Sequence, residues 1–174
     1  MNVKVRKAGD YTYRFVYFTF NLIVGFIICH KEKWFGTSIG GTGHFKHWFE
    51  DLPAWPKPLN FDLLYCFSIG YFVEDSIEML LRKKERDFAE MMLHHVTTIS
   101  LIYFSHIINT GQIGYLILWI HLWADIFLYA ARAFGDIPNH WMSTVNFGLM
   151  LLVWPYSRLY VFADLIYWAS KVDF

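Results

Sequence analysis

The fold is decided by residues 88–108, which read FAEMMLHHVTTISLIYFSHII. An α-helix rises about 1.5 Å per residue, so about 20 apolar residues cross the hydrocarbon core of a bilayer, which is about 30 Å thick. Residues 88–108 have that length and are largely apolar, yet they contain the adjacent pair His94 and His95. They therefore predict a membrane-spanning helix that carries polar side chains.

Four further apolar runs of comparable or greater length flank this segment. They are residues 11–29, 59–81, 112–134 and 141–170. Little chain is left for an extramembrane domain, so we expect an all-α fold: one polytopic integral membrane helical bundle over residues 1–174, with about five transmembrane segments. Because Pro155 lacks a backbone N–H, we expect a break or kink there, after which the chain could turn back instead of spanning.

Composition agrees with a membrane protein. Hydrophobic residues make up 56% of the chain and charged residues 17%, whereas soluble domains average about 25% charged residues. The 15 Lys and Arg residues balance the 15 Asp and Glu residues, so no net basic field attracts nucleic acid, and we expect no nucleic-acid partner. Cys29 and Cys66 lie in apolar runs and are expected to be buried small hydrophobic residues.

Lys and Arg are more frequent on the side of the spans that includes the N-terminus, which places that terminus on the cytosolic or matrix side by the positive-inside rule. The segment 33–60 is rich in Gly, Pro and Trp. We expect it to form an irregular surface loop with its indole rings at the level of the lipid headgroups.

Ionisable side chains in hydrocarbon cost roughly 3 kcal/mol and are retained where they meet a partner inside the bundle. His121 and Asp125 are four residues apart and therefore share one helical face. Their depth matches that of His95 and Thr98 on the preceding, antiparallel helix. We expect these side chains and His94 to form one cluster between the two helices.

Two interpretations of this cluster stay open from spacing alone. A histidine could act as base or nucleophile with Asp125 fixing its tautomer, or the polar groups could only join helices by hydrogen bonds. Glu74 and Glu78, next to Asp75, are expected to form interfacial salt bridges with the basic run 82–86. Too few histidines converge for a di-iron centre, so no metal site is expected.

Residues 86–98, Arg-Asp-Phe-Ala-Glu-Met-Met-Leu-His-His-Val-Thr-Thr, resemble the signature of ceramide synthases and their relatives, the TLC-domain membrane proteins. In that family a basic loop ending in Asp-Phe leads to a His-His pair with a Thr three positions on, as His95 and Thr98 stand here. The motif region covers residues 70–162, and its further matches are Ser105, Asn109, Gly114, His121 and Asp125. The resemblance implies a half-barrel of helices around a cavity open to the cytosol.

Members of the synthase branch join a fatty acyl group from acyl-CoA to the amine of a sphingoid base. Carried over to this chain, the resemblance implies that His94 or His95 takes the acyl group or the amine proton, while His121 and Asp125 orient it. It also implies a set of binding residues: Thr98, Ser105, Asn109 and Gln112. No cofactor is expected, apart from acyl-CoA as co-substrate in an active enzyme.

Departures from the family pattern argue against full activity. Leu122 stands where the synthases have an aspartate, Gln112 where they have an arginine, and His106 where they commonly have a tyrosine. Losing a carboxylate beside a catalytic imidazole lowers rates by orders of magnitude in a comparable triad. The sequence also stops at Phe174, before the family's closing helix, so we expect another protein to cover the open side.

The sequence thus predicts a catalytically impaired protein that binds membrane lipids and serves as a structural subunit of a larger membrane complex, for example in the mitochondrial inner membrane. The alternative is an active acyl-CoA-dependent N-acyltransferase of the endoplasmic reticulum.

Overall fold

The computed structural model describes residues 3–48, 55–82, 88–135 and 141–171. Regular structure in these ranges is helical, and no β-strand occurs in them. The α-helices are α1 Val3–Cys29, α2 Phe61–Leu81, α3 Phe88–Ile107, α4 Gly111–Phe134, α5 Trp141–Pro155 and α6 Phe162–Ala169. A π-helical segment, Tyr156–Val161, connects α5 to α6, and two short 3₁₀ turns, Thr37–Ile39 and Phe45–Trp48, follow α1. The all-α prediction is confirmed.

Helix ends fall within about two residues of the predicted apolar runs, with one exception. α1 begins at Val3, although its apolar run begins at Tyr11. Hydropathy marks the part of a helix that lies in hydrocarbon, but backbone hydrogen bonding continues into the polar flank. An ion pair between Asp10 and Arg82, 3.1 Å between oxygen and nitrogen, ties this extension to the end of α2.

Within the described residues, three helices are long and apolar enough to cross a membrane: Lys7–Cys29, Gly111–Phe134 and the continuous helical stretch Trp141–Ala169. The chain is therefore an integral membrane protein. Helices α2 and α3, with 21 and 20 residues, are long enough to cross a membrane but not apolar enough, because α2 carries four carboxylates and α3 three histidines. The count of five spans and the orientation of the N-terminus stay predictions.

Helix α4 is the centre of the bundle. It packs against α1, α3, α5 and the π-helical segment, and its apolar side chains form much of the core. Five of them are at most 1% exposed: Tyr115, Leu116, Trp119, Ile120 and Leu122. Gly25 of α1 lies directly on this surface, since a Cβ there would be 2.0 Å from the hydroxyl oxygen of Tyr115. The absence of a side chain at Gly25 lets α1 and α4 approach closely.

The prediction that the chain could turn back after Pro155 is wrong. Pro155 has α-helical dihedral angles, and the helix continues as the π-helical segment Tyr156–Val161 and then as α6. Proline removes one hydrogen bond, to the carbonyl four residues earlier, but its φ is compatible with a helix, so the helix continues and the wider turn follows directly after Pro155.

Two smaller predictions are also wrong. The indole rings of the segment 33–60 do not lie free at a membrane surface, because Trp34, Trp48 and Trp55 are at most 4% exposed and pack within the protein. The rings of Trp34 and Trp55 are 5.9 Å apart, centroid to centroid. Cys29 is buried as expected, but Cys66 is exposed on α2.

We expect Gly25→Leu to lower the free energy of unfolding by about 1–3 kcal/mol, because the new side chain overlaps Tyr115 and Trp119. Gly9→Leu on the same helix is the matched control, since no heavy atom lies within 4 Å of a Cβ at that position. Far-UV circular dichroism during unfolding in mixed micelles measures both variants. Equal stability of the two would contradict the close approach of α1 to α4.

Candidate functional site: two groups of polar side chains within the helices

A buried ion pair joins α1 to α2. One guanidinium nitrogen of Arg14 donates to Asp75 Oδ2 at 2.8 Å, and the other contacts Asp75 Oδ1. The Asp75 side chain is 4% exposed and that of Arg14 17%. Arg14 also lies 5.6 Å from the ring centroid of Tyr129 on α4, with the phenol oxygen 3.5 Å from the guanidinium. Arg14 therefore links three helices through one charged group.

His95 brings α3 into the same network. Its Nε2 lies 3.4 Å from Asp75 Oδ2, and its Nδ1 lies 3.2 Å from the hydroxyl oxygen of Ser76. The residue is 3% exposed. We call Arg14, Asp75, Ser76, His95 and Tyr129 the Arg14 cluster. Every charged member of it has a partner of opposite or complementary polarity, as burial in hydrocarbon requires.

A second group of polar side chains is found between α3, α4 and the π-helical segment. Arg158 is near enough to influence the charge of His94, His121 and Asp125, but in the described residues it forms no hydrogen bond or ion pair with them, and its Nε is buried without a hydrogen-bond partner. His94 is exposed, and the other three are partly buried. We call these four residues the Arg158 group. Unlike the Arg14 cluster, it retains unused hydrogen-bonding capacity.

Within the Arg158 group, His121 is oriented by its own backbone. Its Nδ1 lies 2.6 Å from the carbonyl oxygen of Ile117, one turn earlier. In the part of the chain that the structure describes, no hydrogen bond or ion pair joins His121 to Asp125, whose electrostatic partners are Arg158 and Arg132. Asp125 forms no hydrogen bond or ion pair with either arginine in the described residues, so the carboxylate that sequence spacing places beside His121 has no direct partner there.

The predicted cluster is reproduced only in part, because His95 leaves it for a partner on α2. His94 and His95 are adjacent in sequence, so their side chains leave α3 about 100° apart and meet different neighbours. His95 contacts Asp75 on α2, whereas His94 belongs to the Arg158 group, where Arg158 influences its charge. Their ring centroids are 5.9 Å apart. The catalytic roles of His94, His95, His121 and Asp125 stay predictions.

The predicted binding residues make their described polar contacts within the chain. Thr98 donates to the carbonyl oxygen of His94 at 2.9 Å. Ser105 is hydrogen-bonded to the Tyr65 hydroxyl, and Gln112 donates to the carbonyl oxygen of Trp48 at 2.9 Å. Asn109 has a φ of 58° in the turn between α3 and α4. These contacts hold helices and the loop in place, and ligand binding by the four residues stays a prediction.

The sequence analysis named Asp75 only as the neighbour of Glu74 and Glu78, which were expected to form the interfacial salt bridges, and gave Arg14 no role. Arg82 does form ion pairs with Glu78 and Asp10, but Asp75 is not part of that network. The rest of the basic run, 83–86, lies outside the described residues. The signal for Arg14 was its position in an otherwise apolar run, which calls for a buried carboxylate partner.

Metal binding finds no support in the described residues, where no three His, Cys, Asp or Glu side chains are grouped so that they could hold an ion. The His44 ring packs edge-on against Trp168 with a centroid distance of 4.8 Å, and its Nδ1 accepts a hydrogen bond from the Lys46 backbone.

Comparison with known proteins relates the whole helical region to one family. The sequence profile described as the TLC domain matches residues 7–174. No solved structure matches the chain.

Several curated proteins are similar to the chain at low identity. Ceramide synthase 4 of Bos taurus is 28% identical over 167 residues, which cover 95% of this chain and 40% of the relative. Ceramide synthase LOH1 of Arabidopsis thaliana is 26% identical over 172 residues, or 97% of this chain and 54% of the relative. Sphingosine N-acyltransferase lag1 of Schizosaccharomyces pombe is 26% identical over 118 residues, or 68% and 30%. The chain spans about half, or less, of the length of these relatives.

We expect Asp75→Leu and Arg14→Met each to lower the free energy of unfolding by about 3–5 kcal/mol, because each leaves one buried charge unpaired. The double variant removes both charges and should lose much less than the sum of the single variants. Unfolding in mixed micelles, followed by circular dichroism, measures this cycle.

The exposed pair of Lys57 and Asp62, 3.0 Å apart, is the control cycle. Lys57→Met and Asp62→Leu should each change stability by less than about 1 kcal/mol, with little coupling. Purely additive losses at Arg14 and Asp75 would show that the two charges do not stabilise each other.

Proposed function

Because this chain belongs to the TLC-domain family, we propose that it is a ceramide-synthase-like membrane protein that binds long-chain lipids and is impaired in acyl transfer. Its similarity to proteins named ceramide synthases extends over nearly the whole chain. A membrane-spanning domain is in contact with lipid, so lipid binding suits a catalytic and a non-catalytic protein alike, and the two differ in whether the imidazoles carry out chemistry.

One observation carries the proposal of impairment: in the described residues, neither His94 nor His121 is hydrogen-bonded to a carboxylate. Acyl transfer to an amine needs an imidazole that accepts a proton or the acyl group, and a nearby carboxylate stabilises the cation that forms. The Ile117 carbonyl can fix the tautomer of His121, but a neutral acceptor stabilises an imidazolium less than a carboxylate does. Leu122, next in sequence, belongs to the apolar core.

His95 does have a carboxylate beside it, yet this supports a structural role. Asp75 is already paired with Arg14, so its charge is largely neutralised before it reaches His95. His95 is also nearly inaccessible, at 3% exposure. An imidazole in this setting joins α2 and α3 more readily than it reaches a substrate.

We further propose that the chain acts as a subunit of a larger membrane assembly. Helix α5 supports this idea, because none of its side chains is buried and its large apolar residues are well exposed. Another helical membrane protein could cover that surface in place of lipid. The mitochondrial inner membrane suits the subunit role, and the endoplasmic reticulum suits an active synthase.

A second candidate function is acyl-CoA-dependent N-acylation of a long-chain amine. It is favoured by the electrostatic influence of Arg158 and His94 on His121, together with an unpaired Nε on Arg158. In this reaction the amine nitrogen attacks the thioester carbonyl, a histidine takes the amine proton, the C–S bond breaks and CoA leaves as the thiol with that proton. Arg158 would stabilise the oxyanion that forms on the carbonyl oxygen.

Thiol release from acyl-CoA distinguishes the two candidates. Full-length protein in lipid nanodiscs, given a long-chain acyl-CoA and sphinganine, is expected to release thiol no faster than empty nanodiscs. Release that falls by about 100-fold or more in His94→Ala, but persists in the loop control His44→Ala, would establish the active enzyme and overturn the proposal of impairment.

Native mass measurement tests the subunit role. After extraction of its native membrane in mild detergent, the chain is expected to migrate with a complex much larger than its own 20.7 kDa. Migration as a stable monomer with its detergent belt would contradict the proposed assembly while leaving lipid binding open to its own test.

A further inference from the structure

An apolar groove opens between α1 and α2, on different elements from the Arg158 group. Its volume is about 570 Å³, within the usual range of about 300–1,000 Å³ for small-molecule sites. Aromatic rings supply most of its walls: Tyr13, Tyr17 and Phe20 from α1, with Phe67 and Tyr71 from α2. The rings of Tyr17 and Tyr71 stack with centroids 3.7 Å apart, which gives the groove a firm wall.

Gly70 keeps this groove open. A Cβ at Gly70 would meet no heavy atom within 4 Å, and the residue lines both this groove and an adjoining hollow of about 380 Å³. The space above Gly70 is therefore available to a chain-like ligand, and a larger side chain there would occupy it without disturbing the packing of the helices.

Glu74 is an exposed carboxylate in the wall shared by the groove and the hollow. It lies seven residues before the end of α2, or about 10 Å along the helix, which places it in the apolar part of the bundle surface. The cations that influence it are Arg14 and Arg82. Both already form ion pairs, Arg14 with Asp75 and Arg82 with Asp10 and Glu78.

Charge complementarity identifies the occupant. Inside a bilayer an apolar groove gains little from an alkyl chain, because lipid tails are equally apolar. Preference for one lipid over another must therefore come from the polar headgroup of the ligand. The protein group available to such a headgroup is Glu74, which makes no ion pair among the described residues. A carboxylate at this depth costs roughly 3 kcal/mol, and a cationic group brought by a ligand would offset that cost.

We propose that the groove between α1 and α2 binds a single-chain amphiphile with a cationic headgroup, its ammonium on Glu74 and its alkyl chain along the aromatic wall over Gly70. This names a ligand class and a place for the lipid binding proposed above, on which it rests. It requires no acyl transfer, since none of the groove residues belongs to the Arg158 group.

Photo-crosslinking of the full-length chain in phosphatidylcholine nanodiscs tests the proposal. The probes are photoactivatable octadecylamine and, as the anionic match of equal chain length, photoactivatable stearic acid, with crosslinked peptides mapped by mass spectrometry. The amine is expected to label the segments 13–20 and 67–74 at least about tenfold more than the acid, as one charge-assisted contact predicts.

Two variants probe the charge and the space separately. Glu74→Gln is expected to lower amine labelling of these segments about tenfold, and Gly70→Leu should lower it similarly by filling the groove. Their matched controls are Glu90→Gln, an exposed carboxylate on α3, and Gly148→Leu on α5, where a Cβ would also meet no heavy atom within 4 Å. Amine labelling of these segments in the controls should stay within about twofold of wild type, a smaller change than the loss of one charge-assisted contact would cause.

The outcomes separate this proposal from the broader one. Equal labelling of the groove by amine and acid, or labelling unchanged in Glu74→Gln and Gly70→Leu, would overturn the proposed groove site. The broader proposal that the chain binds lipid would not be affected by that result. Failure of both probes to label any helix above the level of a lipid-facing reference peptide would overturn the groove proposal and the broader proposal of lipid binding. Circular dichroism of each variant confirms that loss of labelling is not loss of fold.

Discussion

The ion pair between Arg14 and Asp75 is the constraint on which the arrangement of the helices depends. A guanidinium within the first apolar helix is tolerated only if a carboxylate reaches it, and that requirement fixes the level of α2 against α1. Asp75 then places His95, and hence α3, while the phenol of Tyr129 joins α4 to the same charge. In a bundle surrounded by lipid, where apolar packing alone gives little preference for one register, these polar contacts specify it.

The same interaction explains why two neighbouring histidines have different environments. His95 is drawn toward the charge on α2, so helical geometry leaves His94 on a face that meets α4 and the π-helical segment. The polar groups divide into one satisfied set, which holds helices together, and one set with spare hydrogen-bonding capacity around Arg158. The acyl transfer proposed as the second candidate function would depend on the second set.

The sequence was sufficient for the fold class and for most helix ends, because hydropathy reports directly on which residues lie in lipid. It was insufficient for side-chain partners. Spacing placed Asp125 beside His121, but a shared helical face does not fix a contact, and in the described residues no hydrogen bond or ion pair joins Asp125 to His121; the charges that influence Asp125 are those of Arg158 and Arg132. Arg14 and Asp75 are 61 residues apart, so no local pattern connects them. The indole rings of the segment 33–60 were misplaced because tryptophan favours both headgroups and protein interiors.

The π-helical segment after Pro155 has a consequence for the inner face of the last helical stretch. Along α5 the least exposed positions are Ser143, Asn146, Met150 and Val153, a spacing of three and four that an α-helix keeps on one side. Beyond it the buried positions are Ser157, Val161 and Leu165, four apart each time. In an ideal α-helix that interval would drift by about 40° per step. The π-helical segment has more residues per turn than an α-helix, so positions four apart stay on one side where that segment begins. A substitution that restored α-helical winding there would rotate Ser157, Val161 and Leu165 away from α4.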